Sequence, residues 1–214
     1  IPGLHEVNAV DEAGVHPLLF AIGSERYTPY AEVKQPAELL TIANHILGFG
    51  QMSLAKYLFI SAKEDNPSLR LHQKEDFFRH ILERVDWTRD IHFQTKTTID
   101  TLDYSSEELN FGSKVVIAAV GKPIRKLATE LPSEIEWPKS VKDVKLASVG
   151  LVVVQLNAFT DYETAQKELK EFTEQLNTQL AKLDQIAMIV IADDAPFVAA
   201  NFSNFMWVTF TRSN

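Results

Sequence analysis

The sequence predicts an α/β protein in which a mixed central sheet is flanked by helices and a strand–helix–strand–helix unit occurs twice. Short, continuous apolar runs alternate along the chain with segments whose apolar residues recur at helical spacing. Such alternation is typical of strands that are buried on both faces and covered by the intervening helices. The apolar runs occupy residues 16–22, 56–61, 114–120 and 186–192.

The composition is that of an ordinary globular protein and excludes several classes of function. Of the 214 residues, 45% are hydrophobic and 23% are charged, which is enough for one large domain or two small ones. The net charge is −8 and no run of Lys or Arg is present, which argues against a nucleic-acid partner. No window reaches about 18 apolar residues, so no membrane span is predicted. The absence of cysteine fits a reducing, cytoplasmic location.

The pattern divides the chain into four parts. Residues 1–15 contain proline and glycine without a sustained period, and we interpret them as a linker from a missing N-terminal region. A first α/β core is predicted at 16–120, an irregular connection at 121–143, and a second unit packed on the first at 144–214. The abrupt start and end of the sequence indicate a piece of a longer protein.

Within the first core, strands and helices follow in order. After the strand at 16–22, Pro36 begins a helix that ends at Gly48, and the strand at 56–61 comes next. A second helix is predicted at 73–85, with an apolar stripe that packs on the sheet.

The second unit repeats this order. A strand is predicted at 145–156, a long helix with one apolar stripe at 162–183, a strand at 186–192 and a last helix at 201–210. This order predicts an internal repeat in which two similar halves feed one sheet or two packed sheets. Any two α/β units look alike at this level, and that alternative stays open.

Several elements occur in an order that resembles a known family. The order begins with a strand that has an acidic end, a helix, and the motif Asp-x-x-Arg-Asp at 86–90. It continues with a further strand, the segment Thr-Ile-Asp-Thr-Leu-Asp-Tyr-Ser at 98–105, and Gly-Ser-Lys at 112–114. Over about residues 10–120 this order resembles the C-terminal domain of the UbiD decarboxylases, which include the 3-octaprenyl-4-hydroxybenzoate carboxy-lyases. Family members often carry consecutive acidic residues where this chain has Ser61-Ala-Lys-Glu-Asp65, which leaves the substrate open.

The resemblance implies an activity for a whole protein. UbiD enzymes are carboxy-lyases that reversibly remove carbon dioxide from aromatic or unsaturated acids, such as 4-hydroxy-3-polyprenylbenzoate in ubiquinone or menaquinone biosynthesis. They use prenylated FMN with a divalent metal and potassium, bound mainly by an N-terminal region. The implied partners are that flavin-binding domain, other copies in a homo-oligomer and a small aromatic acid. The resemblance places no catalytic residue and no metal ligand in this chain, so the isolated chain is expected to be inactive without tightly bound flavin.

The resemblance also implies two groups of site residues. The segment that matches the substrate-pocket wall contains Thr97, Ile99 and Leu102. The turn that matches the cofactor-facing side contains Gln51, Ser53 and Lys56. An apolar wall would desolvate the reacting carboxylate and so disfavour its charged ground state. Lys56 either offers a charge to a phosphate or is an ordinary exposed lysine at the mouth of a strand.

Other polar residues have a structural and a functional interpretation. Asp86, Arg89 and Asp90 form either an ionic corner that fixes the next strand or a contact with the flavin domain. Asp100 and Asp103 form either an acid/base pair or a turn in which each carboxylate accepts backbone N–H groups.

The histidines show no zinc-hydrolase spacing, and His72 and His80 are expected on the solvent face of their helix. Two other functions stay open for the chain. One is an oligomerisation module of the same enzyme without substrate contact, and the other is an unrelated stand-alone domain for a small ligand.

Overall fold

The computed structural model describes residues 1–14, 16–101, 103 and 108–212. The chain divides into two compact units. Unit 1 comprises Ile1–Ile124 and Met206–Asn214, and unit 2 comprises Arg125–Phe205. Unit 2 is thus inserted into the sequence of unit 1, which ends with the last residues of the chain.

Unit 1 contains a five-stranded sheet with helices on both faces. Its strands are β1 (Leu4–Ala9), β2 (Leu18–Gly23), β3 (Tyr57–Ala62), β4 (Ile91–Thr98) and β5 (Phe111–Ala119). Its helices are α1 (Ala37–Leu47) and α2 (Lys74–Leu82), with short 3-10 turns at Asp11–Ala13 and Gly50–Leu54. The strand order is β1-β2-β3-β5-β4, in which the three central strands are parallel and the two edge strands are antiparallel to their neighbours.

Alternating residues of β2 and β3 pack on opposite faces of this sheet. Leu19 and Leu58 belong to the apolar cluster with α1. Phe20 and Phe59 face the other side, where the ring of Phe20 lies 4.8 Å from that of Phe77 in α2. β2 is buried throughout and β3 is buried from Leu58 onward, as their continuous apolar runs predict.

Unit 2 contains a three-stranded sheet, ordered β6-β7-β8. Its strands are β6 (Asp143–Ser148), β7 (Leu151–Gln155) and β8 (Met188–Ala192). Helix α3 (Tyr162–Asn177) covers one face through Phe172 and Leu176, and α4 (Ala195–Ala199) follows β8. Helix α5 (Phe202–Arg212) crosses the unit boundary, because its residues from Met206 onward belong to unit 1.

The α/β class, the mixed sheet and the flanking helices are confirmed, with the strands in two sheets. In both units an antiparallel pair is followed by a parallel crossover, but this similarity does not establish an internal repeat, which stays a prediction.

Three local predictions are wrong. Residues 145–156 are not one strand but a hairpin, because Val149 and Gly150 form a tight turn between β6 and β7. The long helix ends at Asn177, and its last apolar residues form a separate 3-10 turn at Leu180–Leu183.

Residues 4–9, assigned to the linker, instead form β1, which pairs with β2. This strand was missed because only one of its faces is covered and its apolar alternation is weak.

Candidate functional site

The two segments predicted to form a site meet where β3 begins. Lys56 directly precedes β3, and its Nζ lies 3.5 Å from Oδ2 of Asp103, in the loop after β4. Both side chains are only 15% exposed, so this ion pair is shielded from solvent. The ammonium of Lys56 also lies 5.7 Å from the centre of the Tyr57 ring.

A hydrogen bond between two side chains holds the same loop. Nδ1 of His16, just before β2, contacts Oδ2 of Asp100. The Asp103 N–H donates to the Asp100 carbonyl at 3.0 Å and closes a turn between the two acids. Each carboxylate thus has a basic side chain as a partner, and the choice between an acid/base pair and a turn in which each carboxylate accepts backbone N–H groups stays a prediction. We call His16, Lys56, Asp100 and Asp103 the amino-edge cluster.

The predicted cofactor-facing turn lies beside this cluster in sequence. Gln51 is exposed, and the Ser53 hydroxyl donates to the Gly50 carbonyl at 2.6 Å within the 3-10 turn. Nζ of Lys114 donates to the Ser53 carbonyl. Lys114 is 4% exposed, and burial lowers the pKa of its ammonium. Lys114 is the last residue of the Gly-Ser-Lys motif at 112–114, but the motif predicts no role for it. A lysine in an apolar run does not reveal from the sequence whether its side chain is buried.

The predicted substrate-wall residues differ in environment. Thr97 is half-buried in β4, opposite Gly112 of β5. Ile99 is only 2% exposed and packs over Gly112, so its side chain serves as packing and offers almost no surface to a ligand. Leu102 lies outside the described residues. The prediction of substrate contact by these residues stays a prediction.

The ionic corner is confirmed as a structural element. The Asp90 side chain is fully buried and accepts the Asp86 N–H at 2.9 Å as well as two hydrogen bonds from Arg89. The Asp90 carbonyl accepts the Ala118 N–H at 3.0 Å, which joins the corner to β5. The hydrogen bond to Asp90 raises the pKa of Arg89.

A groove of about 660 Å³ lies at the opposite, carboxyl end of the sheet in unit 1. The Asp65 carboxylate accepts the Gly121 N–H at 2.8 Å, and burial raises its pKa. Arg84 donates from Nε to the Gly121 carbonyl at 3.0 Å. These contacts link the ends of β3, α2 and β5, so the polar residues of this groove are mainly structural.

Helix α2 provides a further correction. His80 is 5% exposed and not on the solvent face, and burial together with the nearby Arg84 lowers its pKa to about 4. Its backbone carbonyl accepts a hydrogen bond from Arg84 at 2.9 Å.

Within the described ranges, no three histidine or acidic side chains are grouped so as to hold a metal ion. None of the helices in that part of the chain combines the length and apolarity needed to cross a membrane. The amino-edge cluster offers a shielded charge and holds the loop after β4.

Comparison with known proteins identifies relatives. Residues 1–119 match the family model of the 3-octaprenyl-4-hydroxybenzoate carboxy-lyase C-terminal domain. An uncharacterised protein of Chlamydia trachomatis serovar D is 30% identical over 217 residues, which cover 100% of this chain and 33% of that protein. A 4-hydroxybenzoate decarboxylase subunit of Chlamydia pneumoniae is 30% identical over 214 residues, covering 99% of this chain and 32% of that protein.

The chain therefore spans about a third of the length of these relatives. Among solved structures, a UbiD-class enzyme from Pelotomaculum thermopropionicum in complex with FMN is 17% identical, with a TM-score of 0.43 over 64% of this chain and 27% of that one. Because the family model matches more than half of its residues, the chain belongs to the family of UbiD C-terminal domains.

Proposed function

We propose that this chain is the C-terminal part of a UbiD-type decarboxylase that acts on an aromatic or unsaturated carboxylic acid. In this proposal the amino-edge cluster and the neighbouring Thr97 form part of the substrate-pocket wall and take part in domain closure. The reactive groups belong to a flavin-binding region outside this chain. The whole protein is then a carboxy-lyase, whereas the chain alone is inactive.

Family membership over residues 1–119 is the observation that carries this proposal. The relative described as a 4-hydroxybenzoate decarboxylase subunit supports an aromatic acid as substrate. The ion pair between Lys56 and Asp103 supports the location, because it joins the predicted cofactor-facing turn to the loop that follows Thr97.

The shielding of Lys56 suggests how the amino edge contributes. A charge at 15% exposure is screened less than one at the surface, so it acts more strongly on a nearby anion. A substrate carboxylate beside Lys56 would compete with Asp103 for the ammonium. In this role Lys56 would orient a bound acid through its charge.

The cofactors proposed for the whole protein are prenylated FMN, a divalent metal and potassium. Among the described residues no three histidine or acidic side chains are grouped so as to hold a metal ion, so these residues do not by themselves fit one. A flavin phosphate, like a substrate carboxylate, would have to compete with Asp103 for the Lys56 ammonium. We propose that the N-terminal region holds these groups in a homo-oligomer, and no step through them is assigned to this chain.

The test uses the whole protein, with the upstream region joined to this chain. Lys56→Met should lower kcat/KM for decarboxylation of 4-hydroxybenzoate by about tenfold, or roughly 1.4 kcal/mol. Lys122→Met is the matched control, because Lys122 is an exposed lysine of the same unit and should leave the rate unchanged.

A second variant separates function from structure. Lys56→Met combined with Asp103→Leu removes both partners, so the free energy of unfolding should recover while the rate stays low. Recovery of the rate with stability would show that the pair is only structural.

If all variants keep full activity and association of the protomers depends on unit 2, the chain is an assembly module instead.

The isolated chain should also show no flavin uptake in a titration with FMN, and stoichiometric uptake would contradict the proposal.

A further inference from the structure

The outer edge of β8 is open for pairing with another strand. Within the described part of unit 2, β8 pairs with β7 on one side only. The Met188 N–H bonds to the Gly150 carbonyl at the end of β7, so the backbone groups of Met188 point toward β7. Because these groups alternate along a strand, those of Ile189 and Ile191 point outward. The open edge therefore presents two N–H and two C=O groups.

The other edge strands carry features that discourage pairing, whereas β8 has none. Charged residues lie on those edges, namely Glu6 in β1, Lys96 in β4, and Asp143 and Lys145 in β6. Each of these strands also has a register shift against its neighbour. Charged residues and bulges are the usual protection of exposed edges. The sequence of β8 is Met-Ile-Val-Ile-Ala, with an unbroken register and no charge, proline or bulge.

Apolar surface continues beside this edge on the face covered by α3. A groove of about 560 Å³ is lined by Leu156, Phe159, Leu169 and Ile191, among others. Phe159 is 59% exposed, Leu169 46% and Ile191 40%. Leu169 belongs to the apolar stripe predicted for this helix, in which Phe172 and Leu176 are buried whereas Leu169 is uncovered. The uncovered part borders the open strand.

We propose that the outer edge of β8 joins a second copy of this chain, with the two β8 strands antiparallel about a two-fold axis at Val190. This register places Ile189 opposite Ile191 of the partner subunit, and these are the residues whose backbone groups point outward. Each such pair would exchange two hydrogen bonds, and Val190 would face its own copy in the non-bonded position between them. The two three-stranded sheets would become one continuous sheet of six strands.

The edge suits a copy of itself because it is self-complementary in hydrogen bonding and carries no charge that a second copy would repel. A two-fold axis requires the same surface on both partners, which an antiparallel pairing of identical strands provides. Pairs of β-branched side chains opposite each other stabilise such a contact. The acidic residues that follow β8, Asp193 and Asp194, fall at opposite ends of the pair, so like charges do not meet.

This interface lies outside residues 1–119, which the family model matches. It rests on β8 alone, and it stands or falls independently of the decarboxylase proposal.

Disulfide formation tests the register directly, because the chain contains no cysteine. In a non-bonded antiparallel pair the Cα atoms lie about 4.5 Å apart, within the range of about 4.4–6.8 Å that a disulfide spans. Val190→Cys should therefore form a covalent dimer under mild oxidation at least about tenfold faster than a surface cysteine. Glu174→Cys, an exposed position of α3 that does not line the groove, is the control for random collision.

Substitution of one outward N–H tests the hydrogen bonds. Ile191→Pro removes that donor without removing a bond to β7, whereas Ile191→Val keeps it. Sedimentation should show a dimer for the wild-type chain and for Ile191→Val, and a monomer for Ile191→Pro. The circular dichroism spectrum of Ile191→Pro should match that of the wild-type chain, which shows that the fold is kept.

Equal crosslinking of the two cysteine variants would overturn the proposal, as would a dimer that persists in Ile191→Pro. A wild-type chain that stays monomeric would leave the edge to another protein or to the rest of its own polypeptide, and would also overturn it.

Discussion

The guanidinium of Arg89 makes two hydrogen bonds to the carboxylate of Asp90, from Nε to Oδ1 at 2.5 Å and from Nη2 to Oδ2 at 2.8 Å. Asp90 is completely buried, whereas the Arg89 side chain is 28% exposed. The carboxylate also accepts the Asp86 N–H, so one buried group holds the corner between α2 and β4.

Asp90→Ala should therefore destabilise unit 1 by about 2–4 kcal/mol, because it leaves a buried N–H and a guanidinium without their acceptor. Urea denaturation measures this loss. Arg79→Ala, which removes the exposed partner of Asp76, should change the free energy of unfolding by no more than about 0.5 kcal/mol. Equal effects of the two substitutions would contradict the structural role of the corner.

The buried His80 should make stability depend on pH. Burial and the charge of Arg84 lower its pKa from 6.5 to about 4 in the folded chain, so the unfolded chain binds the extra proton between these values. Stability should fall as the pH drops from about 6.5 to 4, by about 3 kcal/mol for this residue. His80→Gln should remove this contribution from the slope of unfolding free energy against pH. His72→Gln, at an exposed position, should leave the slope unchanged.

The contact between Ile99 and Gly112 should resist any added side chain. A Cβ at Gly112 would lie 2.8 Å from Cδ1 and 3.2 Å from Cγ2 of Ile99. Gly112→Ala should therefore cost about 1–3 kcal/mol in urea denaturation, and Ile99→Val should recover part of this loss by removing Cδ1. Ser113→Ala, on the exposed side of the same strand, is the control. No loss in Gly112→Ala would mean that the loop packs elsewhere.

The hairpin turn between β6 and β7 should require glycine at position 150. Gly150 has φ +67°, and a Cβ there would contact the side chain of Leu127, whose own Cβ lies 3.0 Å away. Gly150→Ala should destabilise unit 2 by about 2–3 kcal/mol, because strain and steric overlap add. Shortening Leu127 to Ala in the same chain removes Cγ and Cδ2 but keeps the Cβ at 3.0 Å, so it should relieve only part of the overlap and none of the strain. Calorimetry that shows full recovery would contradict a strained backbone at this position.

The fold was predictable where one physical signal dominates. The central strands β2, β3 and β5 were found because burial on both faces requires continuous apolar runs. The edge strand β1 lacks such a run, and the turn at Val149 and Gly150 interrupts an apolar stretch without a change in composition. The strand β1 and the turn were therefore identified only from the strand pairing in the structure.

The candidate site was only partly predictable. The resemblance located Lys56 and the loop after Thr97, but the contact between Lys56 and Asp103 joins residues far apart in sequence. The burial of Ile99 and Lys114 depends on the packing of β4 against β5, which no local pattern encodes. His80 was misplaced because a polar residue on an amphipathic helix is usually exposed.

The return of α5 to unit 1 has a consequence for biosynthesis. Its Phe210 ring lies 5.7 Å from the ring of Phe59 and 5.1 Å from that of Tyr57, so it completes the aromatic layer over β3. A nascent chain emerging from the ribosome has all of unit 2 before it has Phe210. All of unit 2 is therefore synthesised while unit 1 still lacks one component, and the aromatic layer closes only when translation has passed Phe210.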